Sequence, residues 1–193
     1  MAIITFGGDI GSGKSTVAPM VAKELGYESL YVGGIFRDMA KERGTSLEEF
    51  YASLAADPAL EKSVDDRQVE FMRKGDAVVQ GRIAWFLVAR SGQPAVNILL
   101  TVDPRAGAAR KIAEGQYPGK SIEEVMAIHA ARVADERAHY RVLYGIEDHL
   151  DPVRFDVVCD TTDRTPEEVT AFLLGKIEET LRVRSLNSSE KSV

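Results

Sequence analysis

Short apolar runs alternate along the chain with longer segments in which apolar residues recur every three or four positions. The first run is Ile3-Ile4-Thr5-Phe6, and four later runs lie at 29–32, 76–82, 95–102 and 155–160. Continuous apolar runs are typical of buried strands, whereas the longer spacing is typical of helices that bury one face. Strands that are each separated by helix predict an α/β fold, with a five-stranded parallel sheet and helices on both faces.

Capping patterns indicate where several of the helices begin. Ser46, Ser121 and Thr165 each stand three residues before a glutamate, which is the arrangement of a capping box. The box at Ser46 predicts a helix that buries Phe50 and Leu54. The box at Ser121 predicts a long helix that runs to about residue 144, and the box at Thr165 predicts a last helix that ends near residue 182.

A glycine-rich sequence directly follows the first predicted strand. Residues 8–15 read Gly-Asp-Ile-Gly-Ser-Gly-Lys-Ser, which fits the pattern G-x-x-x-x-G-K-[ST]. Backbone amides of such a loop turn toward a polyphosphate, the lysine adds a cation, and the serine that opens the next helix can ligate Mg²⁺. The alternative is an ordinary turn that carries a lysine, but the strand before and the helix after favour phosphate binding. The predicted triphosphate-binding residues are Gly8, Asp9, Ile10, Gly11, Ser12, Gly13, Lys14, Ser15 and Thr16, with Ser15 as the metal ligand.

A second anion site is predicted at the same edge of the sheet. Ligands of parallel sheets bind beyond the carboxyl ends of the strands, which brings the glycine-rich loop together with segments 33–37 and 81–82. Arg37 and Arg82 are therefore candidates to hold an acceptor phosphate, because a guanidinium group pairs with phosphate oxygens. A surface salt bridge, for example of Arg37 with Glu42, is the alternative for either arginine alone.

The long predicted helix carries three further arginines, Arg132, Arg137 and Arg141. Arg137 and Arg141 share one face, whereas Arg132 lies about 140° around the helix from Arg137. A lid that closes over two ligands needs such divergent arginines, and closure excludes water from phosphoryl transfer. The turn at 115–120 is a candidate hinge. The alternative is a solvated helix in which Arg132 pairs with the acidic residues 135–136.

Composition limits the classes of partner. The chain has 193 residues, 45% of them hydrophobic, and a net charge of −6, which suits one domain and argues against a nucleic-acid or anionic-membrane surface. One cysteine, Cys159, cannot form an internal disulfide, and no signal peptide or apolar run of about 18 residues is present. We expect a cytoplasmic protein, monomer or homodimer, whose partners are small molecules and neither nucleic acid nor membrane.

Other candidate sites are weaker. Asp65, Asp66 and Glu70 are either a metal cluster or, with basic neighbours, a solvated helix face. The histidines and Cys159 lack the spacing of a zinc site, and Cys159 is expected in the core. Trp85 is expected to pack in the core, although stacking on a base is the alternative.

Four further segments carry a family resemblance together with the glycine-rich loop. They read GGIFRDMAKERGTSLEEF, DPALEKSVDDRQVE, VVQGRIAWF and RVADERAHYRVLYGI. In combination they resemble the cytidylate kinases of the short archaeal type, within the nucleoside monophosphate kinase group, from about residue 3 to residue 180. The resemblance implies transfer of the ATP γ-phosphate to CMP or dCMP with Mg²⁺ on a three-layer P-loop core.

The resemblance also implies a division of the chain and roles for single residues. A kinase domain at 1–183 would contain a nucleotide-acceptor region at about 33–75 and a helical lid at about 113–145. The polar residues beyond it, which show no periodicity, separately predict a disordered tail at 184–193. Residues 8–16 would bind ATP. The catalytic residues would be Lys14, Arg132 and Arg137, and the acceptor would be bound by Gly34, Arg37, Gly81, Arg82 and Arg141.

Three positions depart from the family pattern. Gln80 stands where an acidic residue usually precedes Gly-Arg, and His139 replaces a basic residue near Arg141. The segment 105–111 leaves open whether Arg110 or Lys111 reaches the nucleotide. Two alternative functions are a P-loop kinase of another nucleotide or small metabolite and a non-catalytic nucleotide-binding protein.

Overall fold

A parallel sheet of five strands lies at the centre of the computed structural model, which describes residues 2–46, 49–50, 53 and 57–190. The strands are β1 Ile3–Gly8, β2 Glu28–Tyr31, β3 Ala77–Gln80, β4 Ala95–Thr101 and β5 Val157–Asp160. Their order across the sheet is β2-β3-β1-β4-β5, and every neighbouring pair is parallel. The predicted α/β class and the five parallel strands are confirmed.

Helices connect the strands and cover the sheet. They are α1 Lys14–Leu25, α2 Val32–Glu42, α3 Pro58–Arg73, α4 Ala84–Leu87, α5 Pro104–Ala113, α6 Ile122–Tyr144 and α7 Pro166–Glu190. Short 3₁₀ helices lie at Val88–Ser91 and Pro152–Arg154. None of the helices in these ranges is long and apolar enough to cross a bilayer.

Both faces of the sheet are buried under helices. Ile4 and Phe6 point into a core shared with α1 and α7, whereas Ile3 points into a core shared with α2, α3 and α4. Successive side chains of a strand alternate between its faces, so a strand covered on both sides is apolar at nearly every position. This burial explains the continuous apolar runs and confirms the prediction of helices on both faces.

Side-chain caps begin the helices at the predicted places. Ser121 and Glu124 form a capping box at the start of α6, and Thr165 and Glu168 exchange the same two hydrogen bonds before α7. Ser46 and Glu49 do so at 46–49, and Phe50 is buried as predicted. The prediction for Leu54 lies outside the described residues.

Two predicted boundaries are wrong. The run at 29–32 was predicted as a strand, but β2 ends at Tyr31, and Val32 and the two glycines after it lie in the first turn of α2. Helical spacing of the buried Val32, Ile35 and Met39 draws them into that helix. The last helix was expected to end near residue 182, but α7 continues to Glu190, since neither glycine nor proline interrupts that stretch and Arg184 pairs with Asp156.

Candidate active site

The glycine-rich loop joins the end of β1 to the start of α1. Gly13 caps α1 in the left-handed conformation, with φ of 83°. A Cβ atom on Gly8 would lie 2.1 Å from the carbonyl oxygen of Leu100, and one on Gly11 would lie 2.4 Å from that of Gly107. Only glycine fits these two positions, because the loop packs directly on the backbone of β4 and α5.

A cavity of about 410 Å³ lies beyond the carboxyl ends of β1 and β3. The glycine-rich loop, the β2–α2 junction, the end of β3, α5 and α6 all contribute to its walls. Lining residues outside the glycine-rich loop include Tyr31, Val32, Gly33, Phe36, Gln80, Gly81, Arg82, Lys111, Glu114, Gln116, Tyr117 and Arg132. The strand-end rule thus placed the site correctly, at the edge where β1 and β3 end side by side.

Part of the predicted set lines this cavity. The loop residues that do so are Gly8, Ile10, Gly11, Gly13, Lys14 and Ser15, and they are joined by Gly81, Arg82 and Arg132. Asp9 and Ser12 shape the loop instead: a carboxylate oxygen of Asp9 accepts a hydrogen bond from the Val102 amide at 3.1 Å, and Ser12 Oγ donates to the Asp9 carbonyl at 2.9 Å. Thr16 is exposed on α1.

Lys14 is folded back onto its own loop. Its Nζ donates hydrogen bonds to the carbonyl oxygens of Gly8, at 2.8 Å, and Asp9, at 2.5 Å. Burial of the ammonium group, together with the positive charge of Arg82, lowers the pKa of Lys14 to about 7. The lysine is therefore poised to regain a full charge when an anion enters the cavity.

Arg82 and Arg132 meet at one carboxylate. The Nε of Arg82 donates to Oε1 of Glu136 at 2.8 Å, and the Nε of Arg132 donates to the same oxygen at 3.0 Å. Arg82 follows β3 and Arg132 belongs to α6, so the fold joins two predicted site residues that are distant in sequence. Arg132 therefore pairs with Glu136 of its own helix, which was the alternative predicted for it.

Glu136 lies partly buried behind this pair. Its Oε2 lies 3.3 Å from Nε2 of His149, within ion-pair distance but outside hydrogen-bonding geometry. Burial opposes ionisation of Glu136, but His149 and the guanidinium groups of Arg82 and Arg132 outweigh it and lower the pKa of the carboxyl to about 2. The carboxylate is thus charged throughout the physiological pH range.

The remaining predicted arginines lie away from the cavity. Arg37 is exposed and stacks over the ring of Tyr31, 5.4 Å from its centroid. Arg137 forms two hydrogen bonds with Asp148, at 3.0 and 2.8 Å, and Arg141 pairs with Glu147 at 2.7 Å. Gly34 is likewise absent from the cavity lining. The roles assigned to these four residues stay predictions, and Arg37 already contacts Tyr31, which lines the cavity.

Lys111 is a lining residue that sequence reasoning left undecided. It lines the cavity and pairs with Glu114 at 2.6 Å. Arg110 instead donates to the carbonyl oxygens of Gly11, Thr161 and Thr162 at 3.2, 2.6 and 2.9 Å. The adjacent cations therefore differ: Arg110 ties the loop to the end of β5, while Lys111 faces the ligand space. Which of the two side chains faces the cavity depends on the rotation of α5 about its axis, and sequence spacing alone does not reveal that rotation.

The weaker candidates are also resolved. Asp65, expected on a solvated face, is 5% exposed because α6 covers it, and it accepts a hydrogen bond from the Tyr144 hydroxyl at 2.8 Å. No group of potential metal ligands occurs within the described ranges. Cys159 is buried in the core as expected. Trp85 packs against Phe155 and donates to the carbonyl of His149 at 3.1 Å, which confirms the expected packing role.

Residues 3–163 match the model of the Cytidylate kinase-like family. The chain is 37% identical over 176 residues to the cytidylate kinase of Pyrococcus abyssi, with 91% of this chain and 93% of that protein covered. It is 32% identical over 182 residues to the cytidylate kinase of Methanopyrus kandleri, with the same shares covered.

Solved structures of other kinases share the fold. A shikimate kinase from Bacteroides thetaiotaomicron aligns with a TM-score of 0.63 and 16% identity over 92% of this chain and 98% of that one. A gluconokinase from Sinorhizobium meliloti 1021 aligns with a TM-score of 0.60 and 16% identity over 97% of each chain. At such identity the likeness concerns the fold alone, and it confirms the predicted P-loop kinase architecture.

Proposed function

The chain belongs to the cytidylate kinase-like family and is a P-loop phosphotransferase, and we propose that it transfers the γ-phosphoryl group of ATP to CMP or dCMP with Mg²⁺. The observation that supports this proposal most strongly is the arrangement of Lys14 and Arg82 along one cavity, with Arg132 on the same wall. One cation belongs to a triphosphate-binding loop, and the other two come from separate elements. That distribution suits two phosphorylated ligands that meet between them.

The donor half of the proposed site is the glycine-rich loop and the start of α1. Backbone amides there and the helix dipole favour a polyphosphate, and Lys14 would exchange its contacts with the Gly8 and Asp9 carbonyls for phosphate oxygens. Ser15 lines the cavity in the first turn of α1, and its hydroxyl oxygen suits Mg²⁺. When bound, the ion would supply positive charge that lowers the repulsion among the phosphate oxygens of ATP.

The acceptor half is the wall formed by the β2–α2 junction and the end of β3. Arg82 offers a guanidinium group for the acceptor phosphate, and Tyr31 and Phe36 offer aromatic surface for a base. We propose that α6 closes as a lid about the turn at 115–120 while Glu136 keeps its contact with Arg82. Closure would bring Arg141 to the acceptor half and Arg137 to the migrating phosphoryl group, and Arg37 would turn toward the acceptor from α2. Closure would break the exposed pairs of Arg137 with Asp148 and of Arg141 with Glu147, which contribute little stability.

The proposed reaction is an in-line displacement. An oxygen of the acceptor phosphate attacks the γ-phosphorus of ATP, a new P–O bond forms, the bond from the γ-phosphorus to the bridging oxygen breaks, and ADP leaves. Arg82 and Lys14 lower the charge repulsion between the two anions, and Arg132 stabilises the migrating group. The acceptor phosphate is already an anion, so the step needs no general base.

An acceptor screen tests the proposal. The purified protein would be supplied with ATP, Mg²⁺ and one acceptor at a time: CMP, dCMP, UMP or AMP. Shikimate and gluconate would be tested as well, because two of the structural neighbours are a shikimate kinase and a gluconokinase. ADP release and the phosphorylated product would both be measured. We expect CMP and dCMP to be phosphorylated at least about tenfold faster than the others. Preference for another acceptor, or ATP binding without acceptor-dependent ADP release, would overturn it.

A further inference from the structure

We propose that Glu136 is a positioning residue whose carboxylate, behind the cavity wall, sets the orientation of the two guanidinium groups that meet the migrating phosphoryl group. The inference rests on the proposed function and deepens it. Sequence reasoning treated Glu136 only as a possible salt-bridge partner of Arg132, its neighbour on one helical face. The structure adds Arg82, which belongs to a different element.

The position of Glu136 separates it from the ligand-binding groups. Arg82 and Arg132 line the cavity, whereas Glu136 does not. Its side chain is 17% exposed, compared with 25% for Arg82 and 56% for Arg132. A phosphate in the cavity would therefore meet the arginines first, with the carboxylate behind them. Glu136 can support both arginines while a ligand is bound, without leaving its place.

The contacts with Glu136 occupy the Nε atoms of both arginines and leave their Nη atoms available to a ligand. Each guanidinium donates to Oε1 of Glu136 through Nε, and within the described residues no hydrogen bond from their Nη atoms is present. A phosphate prefers to pair with two nitrogens along one edge of the guanidinium fork. Fixing Nε leaves Nη atoms of each arginine for a ligand, and one shared carboxylate oxygen fixes the two groups relative to each other.

A rigid layer supports the carboxylate from behind. Oε2 of Glu136 faces Nε2 of His149, a residue only 1% exposed. His149 is packed against the ring of Tyr140, at 5.2 Å between centroids, and its carbonyl accepts the hydrogen bond from Trp85. Because His149 is buried and held by these neighbours, it limits the movement of Glu136, which in turn fixes the position of the arginines.

The charge of Glu136 gives this role a distinctive kinetic signature. A neutral side chain there would make the cavity more positive and strengthen ground-state binding of an anion. The same change would free the two guanidinium groups, which then repel each other and lose their alignment on the transition state. Loss of Glu136 should therefore lower kcat without raising KM for the acceptor.

The test compares Glu136→Gln and Glu136→Asp with the wild type, with Glu123→Gln as the matched control. Glu123 is on the same helix and pairs with Arg105 at an exposed site. We expect Glu136→Gln to lower kcat about 10- to 100-fold, with an unchanged or lower KM for CMP. Its melting temperature should fall, because the charge-assisted contacts with Arg82 and Arg132 are weakened. Glu136→Asp should restore part of kcat, and Glu123→Gln should match the wild type.

The outcomes separate this inference from the proposed function. Wild-type kcat in Glu136→Gln, or an increase in KM alone, would overturn the role of Glu136 while the activity stands. If Glu136→Gln does not fold, Glu136→Asp decides, and wild-type kinetics in it would overturn the role. If the wild type phosphorylates no acceptor, the proposed function fails. Tripolyphosphate binding then tests Glu136: about three- to tenfold tighter binding to Glu136→Gln supports the inference, and unchanged or weaker binding overturns it.

Discussion

At the scale of single residues, the site depends on how buried charges are balanced. Lys14 has its pKa lowered to about 7, first by burial and then by Arg82, while its ammonium group bonds to carbonyl oxygens of its own loop. Glu136 has its pKa lowered to about 2 because His149 and two arginines outweigh its burial. A polyphosphate bound beside Lys14 would supply negative charge, which stabilises the protonated form of the lysine.

Replacing Lys14 should therefore affect catalysis far more than folding. We expect Lys14→Ala to lower kcat about 10²- to 10³-fold, the usual effect of losing one strong electrostatic donor to a transition state. Lys23→Ala is the matched control, because Lys23 is an exposed lysine in the last turn of the same helix. Steady-state kinetics measure the effect, and undiminished turnover in Lys14→Ala would show that this cation does not serve the reaction.

Lys14→Ala and Lys23→Ala also test how ATP binding depends on pH. Above pH 7 the free protein holds Lys14 mainly as the neutral amine, whereas bound polyphosphate raises its pKa. ATP binding at pH 8 should therefore take up close to one proton, and affinity should fall as pH rises above 7. Calorimetry in buffers of different ionisation enthalpy measures the uptake. It should vanish in Lys14→Ala and persist in Lys23→Ala.

At the scale of elements, α6 is attached to α3 by two polar contacts, one partly buried and one exposed. Tyr144 donates to Asp65 at 2.8 Å, and His139 lies 2.7 Å from Glu61. Burial raises the pKa of Asp65 to about 6, although the hydrogen bond from Tyr144 opposes that rise. The raised pKa means that the folded protein disfavours the charged carboxylate, so burial of the Asp65 charge costs stability at neutral pH.

Neutralising Asp65 should accordingly stabilise the protein in a pH-dependent way. Because the pKa of Asp65 is about 6 in the folded state and 3.8 in the unfolded state, the folded protein loses stability as the pH rises through that window. We expect Asp65→Asn to be more stable than the wild type by about 1–2 kcal/mol at pH 8 and nearly equal to it at pH 4. Thermal or denaturant unfolding at the two pH values measures this. A variant that is less stable at pH 8 would contradict it.

The elements also show how far the sequence alone could be interpreted. The sheet, the three capping boxes and the glycine-rich loop were predictable, because each is encoded by residues adjacent in sequence. The bridge from Arg82 to Glu136 spans 54 positions and depends on how α6 rests on the sheet edge, which no local pattern encodes. Asp65 was misplaced for the same reason: Tyr144 of α6 contacts it, whereas Asp66 and Glu70 of the same helix are exposed.

At the scale of the whole molecule, an acidic chain presents a cationic site. The net charge is −6, yet Lys14, Arg82, Lys111 and Arg132 all line one cavity, together with Glu114. Because the chain as a whole is acidic, an anionic ligand must be held by local basic residues, and this cavity provides them. Such a concentration of positive charge, with a triphosphate-binding loop at one end, suits two phosphorylated ligands whose charges must be brought together.

The affinity of a pentaphosphate that joins adenosine to cytidine tests this arrangement most directly. If one cavity holds donor and acceptor together, the joined ligand should bind at least about 100-fold more tightly than CMP, because the second nucleotide binds without a new loss of translational freedom. It should also be displaced by both ATP and CMP. Binding no tighter than that of ATP, or binding that CMP does not displace, would contradict a shared site between Lys14 and Arg82.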